Sequence, residues 1–111
     1  DLEKELRKRG YDIVYNSKTF SLSEAYAIAE NSKAIIALRS GFNDIICEIE
    51  KPQFLIYSHN PWHEDLQPMY SFKNFPWAAK NFIREYNTHS QTIKEIKNDI
   101  LKRINNDKIL I

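Results

Sequence analysis

The chain has 111 residues, 42% of them hydrophobic and 28% charged, with a formal net charge of +1. That length holds one domain with one core, and the mix is that of a folded globular protein, not a disordered one. The near-neutral balance gives no electrostatic reason to expect nucleic acid or an anionic membrane as partner. A single cysteine, Cys47, excludes an internal disulfide, and its place in an apolar helical pattern points to a packing role in a reducing compartment. No apolar run is long enough to span a bilayer, and no secretory leader pattern is visible.

Asp1 to Arg9 reads as a helix, with Leu2 and Leu6 one turn apart and Gly10 as its stop. Tyr11 to Asn16 reads as a strand centred on Ile13 and Val14. Ser21-Leu22-Ser23-Glu24 has the form of a capping box. Leu22, Ala25, Tyr26 and Ala29 follow it at helical spacing. Ala34 to Leu38 is apolar at every position, as expected of a parallel strand buried on both faces. Phe42, Ile45, Ile46 and Ile49 return to helical spacing, Pro52 ends that segment, and Phe54 to Tyr57 reads as a third strand. Residues 59–75 lack periodicity and form a long proline-rich loop. Pro76 opens a predicted helix carrying Ala78, Phe82, Ile83 and Tyr86. A second capping box, Thr92-Ile93-Lys94-Glu95, starts a last helix with a stripe of Ile93, Ile96, Ile100 and Ile104. The expected fold class is therefore α/β: three parallel strands in a β-α-β-α-β order within three layers, then a long loop and two C-terminal helices. Three parallel strands make a small sheet with an apolar open edge. The expectation is a single α/β domain over 1–111 that is part of something longer, or one whose edge a second copy covers.

Ligands of parallel α/β sheets bind at the carboxyl ends of the strands. Here those ends are Asn16-Ser17-Lys18, Arg39-Ser40-Gly41 and Ser58-His59-Asn60. The second is the most informative, because one of only two glycines in the chain stands where an apolar strand turns into a helix. Backbone amides and the helix dipole favour an anion there, Gly41 offers close approach, and Arg39 adds a fixed cation. The same residues also serve an ordinary helix cap with a surface arginine, and the pattern alone leaves both readings open.

The run Ser21-Leu22-Ser23-Glu24-Ala25, then Ala34 to Asp44 through Arg39-Ser40-Gly41, then a strand ending at Tyr57, resembles the C-terminal nucleotide-binding domain of bacterial GT-B glycosyltransferases of surface-polysaccharide biosynthesis. The resemblance covers roughly Tyr11 to Ser58, about half the chain. It implies a Rossmann-like partial domain that binds a sugar nucleotide for transfer to a cell-surface polysaccharide or glycolipid. It also implies a cytoplasmic location, at most peripheral to the membrane. Carried over, Arg39, Ser40 and Gly41 would contact the diphosphate, with Ser21 and Leu22 beside the nucleotide and Ser17 and His59 on the same rim. The resemblance implies no bound metal or other cofactor. A GT-B enzyme needs an opposing acceptor domain that this length cannot hold, so the isolated chain should be inactive, with that domain or a second copy as its partner.

His59, His63, Glu64 and Asp65 are competent metal ligands, but their spacing matches no closed zinc set, so a solvated loop is the expected role. Trp62, Tyr70, Phe72, Phe75 and Trp77 fit either stacking on a base or sugar, or anchoring of the loop. No serine stands in a nucleophile elbow. The competing function is a non-catalytic α/β interaction or regulatory module. The first strand's end, Asn16-Ser17-Lys18, lacks the acidic cluster of a phosphorylated receiver.

Overall fold

A computed structural model of the chain describes residues 2–14, 20–57, 71–88 and 90–104. Three parallel strands, β1 (Ile35–Leu38), β2 (Gln53–Tyr57) and β3 (Ile83–Asn87), form one open sheet in the order β1-β2-β3. Helices α1 (Leu2–Lys8) and α4 (Ile93–Ile104) cover one face, where Leu6, Ile96, Ile100, Leu101 and Ile104 pack on Phe54 and Tyr86. On the other face α2 (Leu22–Glu30) and α3 (Gly41–Ile46) pack around Ile35. Beside them Phe72, Phe75 and Ala78 lie on Leu55, Ala37 and Ile83. The fold class is therefore the expected one, a small three-layer, three-stranded parallel α/β domain. Two of its elements differ from the sequence expectation.

The first is the predicted strand Tyr11–Asn16. Tyr11 to Val14 joins no ladder, and Tyr15 and Asn16 lie outside the described residues. The cause is the end of α1. The Gly10 amide bonds Arg7 O at 3.0 Å and the Tyr11 amide bonds Leu6 O at 3.1 Å, which is the paired closure of a Schellman turn. That turn sends Tyr11 and Ile13 onto the α1/α4 cluster and leaves a groove of about 770 Å³ between this segment and β1. β1 is consequently an edge strand. Its expected burial on both faces is not met: Leu38 is 61% exposed and Ile36 36%.

Gly10 has φ +89°, and the position of its Cβ would be empty space. Replacing it with alanine therefore carries only the conformational penalty of a left-handed backbone. Gly10→Ala is expected to lower stability by about 1 kcal/mol in urea unfolding.

The second difference is the helix expected from Pro76 through Tyr86. Among the described residues, that stretch holds a 3-10 turn (Lys80–Phe82) running into β3, so one C-terminal helix follows the sheet, not two. Ile83 and Tyr86 fit helical spacing, but they belong to opposite faces of a strand. The alternation was masked because both faces are covered and the polar members, Arg84 and Glu85, are paired with distant residues. The strong local signals do operate. Glu24 N donates to Ser21 Oγ (3.1 Å) and Ser21 N to Glu24 Oε1 (3.0 Å). Thr92 and Glu95 reciprocate in the same way at α4. Ile93 itself is 78% exposed, and Leu101 completes the buried stripe in its place.

Candidate functional site at the carboxyl rim

The three strands end level with one another. The Arg39 amide continues the ladder to Ile56 O (2.9 Å), and both the amide and the hydroxyl of Thr88 donate to Tyr57 O (3.0 and 3.2 Å). Arg39, Tyr57 and Thr88 thus share one rim. After β1 the chain turns at Ser40, whose amide donates to Asn43 Oδ1 (2.6 Å), while the Asn43 amide bonds back to Ser40 O (3.1 Å). Asn43 is fully buried, and among the described residues its Nδ2 has no hydrogen-bond partner. Gly41 begins α3 without a positive φ, and a Cβ there would meet nothing within 4 Å. The fold therefore does not require glycine at this position.

The Arg39 side chain is only 11% exposed. It donates to Ser40 O (2.7 Å) and Asp44 Oδ1 (2.7 Å), and its guanidinium lies 4.2 Å from the Phe72 ring centroid and 5.8 Å from that of Phe75. Arg39 is thus a built-in cation, packed on aromatic faces and oriented by Asp44. Behind it sits a carboxylate. Glu85 accepts the Tyr57 hydroxyl (2.8 Å), the Ser71 hydroxyl (2.6 Å) and the Phe72 amide (3.1 Å). Burial first, and then the Glu85 carboxylate, push the Tyr57 phenol far above its ordinary range against the pull of Arg39. It remains a neutral donor at any physiological pH.

Arg39, Ser40 and Gly41 are contiguous on the rim, as the sequence placed them. Ser21 and Leu22 begin α2, and the Ser21 hydroxyl and amide are both engaged by the Glu24 capping box. Between the two helix starts lies a cavity of about 200 Å³ lined by Phe20, Ala25, Ala37, Ser40 and Asn43. Ser21 bonds Glu24 within its own capping box, whereas Arg39 bonds Ser40 O and Asp44. Ser17, Lys18, Ser58, His59, Asn60, Trp62, His63, Glu64, Asp65, Tyr70 and His89 lie outside the described residues. Among the described residues there is no cluster of three metal-competent side chains, and no helix is long and apolar enough to cross a membrane. The residues that sequence reasoning did not single out here are Tyr57 and Glu85. A glutamate inside the aromatic- and isoleucine-containing run Phe82-Ile83-Arg84-Glu85-Tyr86 was the one available signal for the second.

No protein-family model, curated protein or solved structure matches the chain.

Proposed function

We propose that the Arg39-Ser40-Gly41 corner binds the diphosphate of a sugar nucleotide, and that the chain is the donor-binding segment of a glycosyltransferase acting on a surface polysaccharide or glycolipid. The observation that carries this reading is Gly41. Nothing in the backbone or the packing demands glycine there, yet it leaves open space above the start of α3, at the carboxyl rim, next to a fixed arginine. The first amides of a helix have no intrahelical acceptor, so those of Gly41 and Phe42 are the donors a phosphate would take. The incoming anion would replace Asp44 as the partner of Arg39, and the exposed side of that ion pair makes the exchange possible. Stabilisation of a leaving diphosphate would then be electrostatic, from Arg39 and the corner amides. The residues that activate an acceptor would come from outside this chain.

The test is amide-resolved NMR titration with UDP, GDP and inorganic pyrophosphate. Binding should shift the Ser40, Gly41 and Phe42 amides. Arg39→Ala should weaken it by about tenfold or more, the scale of a lost charged hydrogen bond. Gly41→Ala should leave the unfolding midpoint unchanged or slightly raised and still weaken binding. Equal affinity in both variants would remove the reading.

A non-catalytic interaction module is the second reading, favoured by the exposed apolar edge of β1. Val14 and Ile36, 61% and 36% exposed, line one groove, and Leu38 at the end of the same strand as Ile36 is 61% exposed. Under that reading the corner amides stay silent to all three ligands.

A further inference from the structure

Trp77 is 60% exposed, yet it is not a loose surface side chain. The chain beside it is pinned at the end of α3, where the Ala79 amide donates to the carbonyl of the fully buried Cys47 (2.8 Å). The Trp77 ring is tilted against Phe75, with centroids 5.1 Å apart. Phe75 in turn meets the buried Phe72 edge-on at 4.8 Å, and both phenylalanines lie beneath the Arg39 guanidinium. An unbroken aromatic run therefore leads from the fixed cation of the corner to an open indole. The run is held rigid at its buried end by the Glu85 carboxylate on the Phe72 amide. A large apolar ring fixed by one edge and left open over most of its surface has its ordering already in place, so little is lost when a flat ligand stacks on it. The distance is suitable as well. α3 has six residues, so only about 9 Å of helix separates the Gly41 corner from the Cys47 end.

We infer that Trp77 is a stacking platform for the nucleobase of the nucleotide whose diphosphate sits at Arg39 and Gly41. The inference rests on the diphosphate reading of that corner and adds the residue that holds the base. The base is the part of a sugar nucleotide with a π-face, and the diphosphate gives it the reach from the corner to the indole. Stacking of this kind tolerates several bases, so Trp77 supplies affinity, not choice among nucleotides.

The experiment is a titration of the intact, isotope-labelled chain with UDP, inorganic pyrophosphate and glucose 1-phosphate, following the indole N–H signal of Trp77, assigned by Trp77→Phe. UDP should move both the Gly41 amide and the Trp77 indole, whereas pyrophosphate should move the amide alone. Trp77→Ala should weaken UDP by about 10- to 100-fold and leave pyrophosphate unchanged, with Trp77→Phe recovering most of the loss. UDP binding at Gly41 with a stationary indole, or an indole moved by glucose 1-phosphate and not by UDP, overturns the platform while leaving the diphosphate site standing. Silence of the Gly41 amide towards both UDP and pyrophosphate overturns the diphosphate site and the platform together. The indole readout uses the unaltered chain, so it remains decisive if Trp77→Ala fails to fold.

Discussion

Glu85→Ala is expected to cost about 3–5 kcal/mol, the largest single loss available at the rim. The glutamate accepts three donors from two separate stretches of chain: the Tyr57 hydroxyl from β2, and the Ser71 hydroxyl and the Phe72 amide from beyond it. Tyr57 and Ser71 are each 6% exposed and Phe72 1%, so water cannot readily replace the lost acceptor. A buried donor left without a partner costs about 1–3 kcal/mol, and here there are several. Against a total of about 5–15 kcal/mol for a domain of this kind, that leaves little stability. Glu85→Gln is the informative comparison, because its amide oxygen still accepts and its amino group can donate to the Ser71 hydroxyl, which can turn to accept. It should lose less than half as much. Urea midpoints measure both. The consequence reaches the proposed site, since Phe72 is the ring on which Arg39 rests. An alanine at 85 should therefore also weaken anion binding at conditions where the chain is still folded.

What could be read in advance, and what could not, follows from the range of the interactions. The unit β1–α3–β2 was legible because every cue for it is local: an apolar run, a glycine at the turn, helical spacing, and Pro52 before the next strand. Both capping boxes were legible for the same reason. The Tyr11–Val14 segment has strand composition, and even its burial alternates. Pairing, however, depends on where the Schellman turn aims the chain, and that direction is not written in the residues of the segment. β3 was hidden because Arg84 and Glu85 look like the polar side of a helix until Asp99 and Ser71 are found against them. The corner itself was found from its glycine. That its arginine would be nine-tenths covered was not foreseen, because the covering rings, Phe72 and Phe75, come from beyond β2. Trp77 was visible only as one aromatic among several. The bond from Ala79 to Cys47 that pins the chain beside it exists only in three dimensions.

The other side of β3 carries the second large effect. One oxygen of Asp99 on α4 accepts the Tyr86 hydroxyl (2.5 Å), Arg84 Nε (2.9 Å) and Arg103 Nε (3.0 Å). This point fastens α4 to the edge of the sheet. Burial alone would push the Asp99 carboxyl up, but the Tyr86 hydroxyl and the two guanidiniums outweigh it and hold the group below its ordinary value. A carboxyl depressed in the folded state stabilises the fold at any pH above its unfolded value, about 4 for aspartate. That contribution fades as pH falls through the lower, folded value. Asp99→Asn should therefore cost about 2 kcal/mol near neutral pH, the scale of charged hydrogen bonds at a partly exposed site. The gap between the variant and the parent should narrow as the pH is taken below about 4, because protonation removes from the parent what the substitution removed from the variant. Urea midpoints of both proteins across pH 7 to 3 give the test. A gap of constant size over that range would mean that the carboxylate's charge is not what joins α4 to β3, and that Ile96, Ile100 and Leu101 hold the helix by packing alone.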